Sequence, residues 1–335
     1  MPRVSIGLPV YNGENFVADA IESVLAQSFT DWELVISDNA SSDRTAELCR
    51  SYAARDERIR FEAASENRGA AWNFNRVFQL ASAPFFRWLS HDDYLAPDCI
   101  QLSLHALESD SRAVLCSTST GVINAHGQQV LDNTPAASDL QFQELSEQGE
   151  AKRISMSQAA SPSTRYAGIL FYSRRCYEVY GLIRRETMIR TQLHPSYCGG
   201  EKVWLAEVAL LGRIIELPET LFYCRWHDAR FTANSSTVEQ AEHMSPGRSR
   251  RFALPHQYRS ALGYLQLVFT KPLTPGTRLS CFTVWLRFIL QVQKWLTLFR
   301  QTFSGTATNV RISRATRLGE QIVPQSSRNY GRETE

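Results

Sequence analysis

Two adjacent carboxylates, Asp92 and Asp93, follow the apolar run Phe85–Leu89 and precede Tyr94-Leu95-Ala96-Pro97. Such a pair at a strand end suits Mg2+ or Mn2+, which binds through one or two carboxylates plus phosphate oxygens of a bound substrate. An Asp in this place also serves to cap the helix that Pro97 starts. Asp38 ends another apolar run beside Asn39, where its carboxylate can accept from a base N–H or a ribose hydroxyl. Capping of the next helix is better served by Ser42 or Asp43, which leaves Asp38 spare. Arg68 stands before Gly69 at a helix start, where a guanidinium can pair bidentately with a diphosphate; exposed arginines are also common there. Glu201, in Cys198-Gly199-Gly200-Glu201-Lys202, opens a helix behind two glycines that let the backbone approach a ligand. Its carboxylate suits a general base for a hydroxyl, or simply favours the helix N-terminus. His227, in Arg225-Trp226-His227, either coordinates a metal, contacts phosphate, or is structural.

The elements that must carry these residues alternate. Val4–Val10, Trp32–Ser37, Ile59–Ala63 and Phe85–Leu89 read as strands, and helical patterns separate them. That order predicts an α/β fold with a mostly parallel sheet and right-handed crossovers. Ligands on such sheets bind at the carboxyl ends of the strands, where Tyr11-Asn12, Asp38-Asn39 and His91-Asp92-Asp93 all fall. Ala113–Thr120 reads as a fifth strand, and Asn124–Gln128 as a hairpin turn. Residues 132–162 are polar and weakly periodic, which predicts a long loop over the site. Val203–Leu211 is a short amphipathic helix; Arg213–Leu217 and Leu221–Cys224 read as two strands around Pro218-Glu219.

The chain has 335 residues, 43% apolar and 21% charged, which suits a globular core and excludes a disordered or polytopic membrane protein. Its net charge of +2 is an average of unlike parts. Residues 241–335 hold 14 Lys and Arg against 4 Asp and Glu; residues 1–240 hold 22 against 30. The reading is a catalytic domain over 1–240, with halves of about 1–115 and 116–240. A basic linker and helices over 241–303 and a loose tail over 304–335 follow. Met244–Arg251 reads as linker, and Leu254–Thr270 and Thr277–Phe303 as helices. In the second helix Thr283, Arg287, Gln291 and Lys294 share one face, with Phe282, Trp285, Leu286, Ile289, Val292, Leu296 and Phe299 opposite. A basic amphipathic helix of this kind suits an anionic membrane surface, or packs on the catalytic domain or a partner. Seven scattered cysteines without a C-x-x-C pair, and an N-terminal apolar run too brief for a signal peptide, fit a cytoplasmic protein, peripheral on the inner membrane face if the tail docks there.

In order along the chain, these motifs resemble the inverting nucleotide-sugar glycosyltransferases of family two, with the GT-A fold. The residues that carry the resemblance are Val4–Glu14, Ser23–Ser28, Trp32–Asp43, Glu66-Asn67-Arg68-Gly69, Asn73, Asn75 and Trp88–Asp93. Gly200–Leu205, Leu217–Leu221 and Arg225-Trp226-His227 extend it. It implies that Pro9, Tyr11 and Asp38 hold the nucleoside, with Arg68 near the base or diphosphate and Asp92 on the ribose. Asp93 would bind the divalent ion, with His227 a further ligand. The donor would be a nucleoside-diphosphate sugar, and the acceptor a sugar or a lipid-linked one. Two departures stand out. Ser90-His91 replaces a further acid upstream of Asp92, and Glu201-Lys202 replaces a Glu-Asp pair, so Lys202 instead of Glu201 takes the base position if the register shifts by one. Glu207 is a weaker base candidate. A non-catalytic scaffold relative is the alternative. A nucleotidyltransferase is disfavoured by the loop Leu8–Glu14, which lacks its Gly-rich basic pattern. A dinucleotide oxidoreductase is disfavoured because no G-x-G-x-x-G follows the first strand. No nucleic-acid module is present.

Overall fold

Runs of seven buried residues build the centre of the molecule: β1 (Val4–Val10) and β2 (Trp32–Asp38) are covered on both faces, as parallel strands under crossover helices must be. The computed structural model describes residues 1–130, 140–173, 175–227, 237–246 and 256–291. β1 pairs in parallel with β2 and with β4 (Phe85–Trp88), and β2 with β3 (Ile59–Ala63). The crossovers are α1 (Val17–Leu25), α2 (Thr45–Ala53) and α3 (Ala70–Leu80). In α1 the buried residues Val17, Ala20, Ile21 and Val24 recur at helical spacing, and each fully buried Val or Ile contributes about 1.5–3 kcal/mol.

Beyond β4 the short β5 (Tyr94–Leu95), α4 (Cys99–Ser109) and β6 (Ala113–Ile123) follow, then α5 (Leu140–Ser157), α6 (Pro162–Tyr172), β7 (Leu182–Arg184), α7 (Arg185–Ile189), α8 (Gly200–Leu211) and β8 (Arg213–Arg225). The eight-stranded sheet among the described residues runs β3-β2-β1-β4-β7-β6-β8-β5. β7 is antiparallel to both β4 and β6, so β6 and its parallel partner β8 run the same way as β4. The mostly parallel α/β architecture and the hairpin turn, closed by Asn124 N–H to the Gln128 carbonyl at 2.9 Å, agree with expectation.

Several expectations need correction. Arg213–Leu217 and Leu221–Cys224 are one strand. Its ladder to β6 shifts register between Leu217 and Phe222, and Pro218 and Glu219 bulge out where proline has no N–H to donate. The region read as a long loop contains the 18-residue α5; residues 131–139 of that stretch lie outside the described ones. Ion pairs tie α5 to the body. Arg153, only 3% exposed, meets Glu150 on its own helix, Glu178 in the 3-10 turn Tyr177–Tyr180, and Glu216 on β8.

At the C-terminal side, α9 (Thr237–Met244), α10 (His256–Thr270) and α11 (Pro275–Ile289) follow. α11 begins with Pro275 behind a capping Thr274, whose hydroxyl accepts the Thr277 N–H. The compact unit runs from Met1 to Leu290, past the expected boundary at 240. α10 and α11 are part of it: Tyr166 of α6 donates its hydroxyl to the Tyr264 carbonyl at 2.9 Å. Lys271 bridges to Glu207 of α8 and to the Arg190 carbonyl. The expected continuation of the last helix over 292–303, and the tail 304–335, lie outside the described residues.

Candidate active site

The loops after β1 and β2 are sewn together by side chains. Asn12, with φ of 49°, donates its N–H to Ser41 Oγ and accepts the Ser42 N–H on its amide oxygen at 2.9 Å. The Gly13 N–H donates to Thr45 Oγ1 at 2.8 Å. The buried Asp38 carboxylate accepts from the hydroxyl and N–H of Ser41, so it is not spare as expected but closes its own turn. Asp43 caps α2 through Thr45, as expected. Asn39 accepts the Arg68 N–H at 3.0 Å and donates to Asn67, which ties the β3–α3 loop to the same edge. Pro9 is buried in β1 against Ser37, and Tyr11 is 37% exposed just beyond it. Arg68 is exposed, its guanidinium stacked 4.5 Å from the Trp72 ring, with Arg76 at 5.1 Å from the same ring. Pro9, Tyr11, Asp38 and Arg68 therefore line neighbouring positions on one edge.

Asp92 and Asp93 lie at the end of β4 on that edge. Arg225, at the end of β8 and 2% exposed, holds their loop from several sides. Its N–H donates to Asp93 Oδ1 at 2.9 Å, its Nε to the Asp92 carbonyl at 2.8 Å, its Nη1 to the Ala125 carbonyl at 3.1 Å, and its Nη2 to Asp19 at 2.8 Å. The guanidinium also stands 4.8 Å from the Phe16 ring. Sequence reasoning singled out the Arg225-Trp226-His227 run but attached a role only to His227. A strand-end Arg that must satisfy two carbonyls leaves no spacing pattern to find it by.

His227 Nε2 stands 3.3 Å from Asp92 Oδ2. Burial pushes the Asp92 carboxyl up, but the His227 hydrogen bond and the nearby His91 outweigh it and hold the group below its ordinary value. The buried His227 Nδ1 makes no hydrogen bond among the described residues. No three His, Cys, Asp or Glu side chains among those residues form a cage on their own. Two carboxylates beside an under-satisfied imidazole nevertheless fit a hard divalent ion that takes its remaining oxygens from a diphosphate.

α8 brings Glu201 to the same edge. The helix ends where β8 begins, at the amino edge of the parallel strands, so its N-terminus lies at their carboxyl edge. The Trp204 ring, one turn along from Glu201, packs 5.2 Å from Trp88 at the end of β4. Gly199 takes φ of 79° to start the helix, a conformation side chains resist. Burial pushes the Glu201 carboxyl above its ordinary value, against its own and Gly199's N–H groups and Lys202. Lys202 Nζ donates to the Leu170 carbonyl of α6 at 3.3 Å. Glu207 is 1% exposed and accepts the Gln192 N–H while paired with Lys271. Of the two acidic side chains on α8, Glu207 is therefore the one held by an ion pair.

α9 crosses the edge near Gly69, a feature with no signal in the sequence. A Cβ on Gly69 would lie 2.7 Å from the Met244 carbonyl and 2.6 Å from Pro246 Cδ. His243, pushed down by burial and by His91, stands on this helix.

The family model described as Glycosyl transferase family 2 matches residues 5–175. The putative teichuronic acid biosynthesis glycosyltransferase TuaG of Bacillus subtilis is 34% identical over 112 residues, 33% of this chain and 44% of that protein. Chondroitin synthase of Escherichia coli is 31% identical over 127 residues, 38% of this chain and 18% of that protein. The chain thus spans less than half the length of either curated relative. Among solved structures, S. aureus TarS 1-349 in complex with UDP aligns with a TM-score of 0.58 at 14% identity, over 95% of this chain and 78% of that one. The mannosyltransferase PcManGT from Pyrobaculum calidifontis, in complex with GDP-Man and Mn2+, aligns with a TM-score of 0.51 at 16% identity, over 89% and 80%. The sheet order and these neighbours are those of a GT-A fold, and with more than half its residues matched the chain belongs to glycosyl transferase family 2.

Proposed function

We propose that the chain moves a sugar from a nucleoside-diphosphate sugar to an acceptor hydroxyl, with inversion and with a divalent ion, in polysaccharide or glycoconjugate synthesis. The observation that carries this reading is the gathering of Asp38, Arg68, Asp92-Asp93 and the N-terminus of α8 at one carboxyl edge. TarS and PcManGT, in complex with UDP and with GDP-Man and Mn2+, add support for the donor class and the ion.

In this reading Pro9, Tyr11 and Asp38 contact the nucleoside, Arg68 the base or diphosphate, and Asp92 the ribose. Asp93 and His227 would hold Mg2+ or Mn2+, which when bound would supply charge stabilisation for the departing diphosphate. Glu201 accepts the proton of the acceptor hydroxyl as its oxygen attacks the anomeric carbon. The bond from that carbon to the diphosphate breaks, and its electron pair leaves with the nucleotide. A raised pKa suits this base, because it strengthens proton affinity.

Release of nucleoside diphosphate from a panel of nucleotide sugars, with and without Mn2+, tests the reading. Turnover that needs Mn2+ and disappears in Asp93→Asn and Glu201→Gln is expected. Near-normal turnover in Glu201→Gln overturns the base assignment, and no release from any donor favours a non-catalytic binding protein.

A further inference from the structure

Large apolar side chains left in solvent are concentrated, among the described residues, on the α10–α11 hairpin. Leu262 and Phe269 on α10, Leu279 and Leu286 on α11, and Leu290 at its C-cap are between 41 and 67% exposed. Leu262 and Phe269 are seven residues apart, and the three leucines of α11 and its C-cap are spaced by seven and four, so each set forms one stripe. The Phe282 ring joins the stripes, 6.3 Å from Phe269 and adjacent along the helix to Leu279 and Leu286. The opposite faces are apolar too: Tyr264, Leu267, Cys281 and Phe288 are buried. Trp285 Nε1 donates to the Ala261 carbonyl at 2.9 Å and closes the hairpin. Packing on the body needs only one apolar face per helix, which leaves the outer one unexplained by the fold.

This outcome differs from the face expected in the sequence. Leu286, grouped by pattern with the apolar side opposite Thr283, is exposed as Thr283 is. The charge over the same stretch is one-sided. Residues 256–291 contain Arg259, Lys271, Arg278 and Arg287 and no Asp or Glu. Lys271 is neutralised by Glu207, whereas Arg287 is exposed beside Leu286 and one turn from Leu290. The sequence that continues from 292 to 335 holds seven Lys and Arg against three Asp and Glu.

We propose that this outer face of α10 and α11 docks on an anionic lipid surface. Leucine and phenylalanine stripes flanked by arginine combine apolar insertion with attraction to acidic headgroups. A second copy of the chain is a poorer occupant, because a two-fold contact would set like charges against each other without an acid to answer them. The helices lie on the surface and do not cross it: no helix among the described residues is long and apolar enough to span a bilayer. The inference does not depend on the transfer reaction.

Flotation of the full chain with phosphatidylcholine vesicles, with and without phosphatidylglycerol, tests it. The parent is expected to float with the phosphatidylglycerol vesicles and to release at high salt. The triple variant Phe269→Ser/Leu279→Ser/Leu286→Ser is expected to lose binding by about tenfold or more. Arg287→Glu is expected to lose about fivefold or more. Both variants should keep the parent's thermal midpoint and its nucleotide release from the donor with a soluble acceptor, since none of these residues touches the carboxyl edge. Absent flotation of the parent, or equal flotation of parent and triple variant, overturns the proposal. A parent that sediments as a dimer and a triple variant that sediments as a monomer, neither floating, assigns the face to a second copy and overturns it as well.

Discussion

Replacing Arg225 with methionine keeps the aliphatic stem and removes the guanidinium that tethers the Asp92-Asp93 loop. The Asp92 and Ala125 carbonyls, bonded at 2.8 and 3.1 Å, lose their charged donor. Each buried acceptor left unpaired costs about 1–3 kcal/mol. The stacking on Phe16 at 4.8 Å contributes about 0.5–1 kcal/mol. The partner Asp19 has a 59% exposed side chain, so that ion pair is screened and adds about 0–1 kcal/mol. The sum spans about 2.5–8 kcal/mol, and its lower half matches the about 3–5 kcal/mol usual for breaking a buried charged contact. A domain of about 5–15 kcal/mol stability survives it, weakened. The N–H of residue 225 is unaffected and still reaches Asp93 Oδ1, so the carboxylate pair persists on a looser loop. Half-activation by Mn2+ should move to higher concentration by about tenfold or more, a loss of about 1.4 kcal/mol. Arg225→Lys, with one compact ammonium in place of a fork, should fall between. Urea unfolding and Mn2+ titration of nucleotide release measure the two effects separately. A stability loss below about 1 kcal/mol refutes the hydrogen-bond accounting. An unchanged Mn2+ half-point at reduced stability refutes the link from the tether to the ion.

Glu201, raised by burial, should give kcat/KM an acidic limb above the ordinary carboxylate range, and a limb that survives Glu201→Gln would exclude it as the base. His194 is half-buried beside Phe74 and Trp88, and desolvation pushes its ring down to about 4 despite the Pro195 carbonyl at Nδ1. The unfolded chain binds that proton from about pH 6.5 downward and the native one does not. The stability contributed by neutral His194 is therefore complete above pH 6.5 and lost as pH falls toward 4, about 2 kcal/mol by pH 5. His194→Phe should flatten urea-measured stability between pH 7 and 5, and an unchanged slope would show that other groups carry it. Gly69→Ala places a Cβ at φ of 87° and 2.7 Å from the Met244 carbonyl, costing about 1–3 kcal/mol; an unchanged melting temperature would show that α9 does not press on Gly69.

The fold was most legible where hydrophobic pattern and burial coincide. β1 and β2 are continuous buried runs, so their composition alone marks them as interior parallel strands. α5 was illegible for the opposite reason: Arg153 anchors it through Glu178 and Glu216, partners 25 and 63 residues away, and a local window contains neither. β8 was read as two strands because Pro218 is a breaker by local rule, yet a bulge lets the ladder resume beyond it. On α11 the alternation of polar and apolar residues implies one apolar face, for a membrane surface or for packing. Tertiary packing chose Cys281 and Phe288 for the interior and left Leu279 and Leu286 outside, a choice that requires knowing where α6 and α10 lie.

The site divides along the same line. Carboxylates at strand ends can be picked out because strand direction dictates where side chains of successive loops gather. What each carboxylate then touches depends on residues far along the chain. Asp38 meets Ser41 within its own turn, Asp92 meets His227, and Asp93 meets the N–H of Arg225, 132 residues on. The ambiguity between Glu201 and Lys202 illustrates the point. Both are polar, adjacent and at a helix start, so spacing cannot separate them. The fold separates them by what lies alongside: α6 offers the Leu170 carbonyl to Lys202, and Glu207 is taken up by Gln192 and Lys271. A base must have an oxygen free of strong donors to receive a proton. On α8 Glu201 is the residue proposed for that part, and its pH profile, more than its position in the motif, tests the assignment.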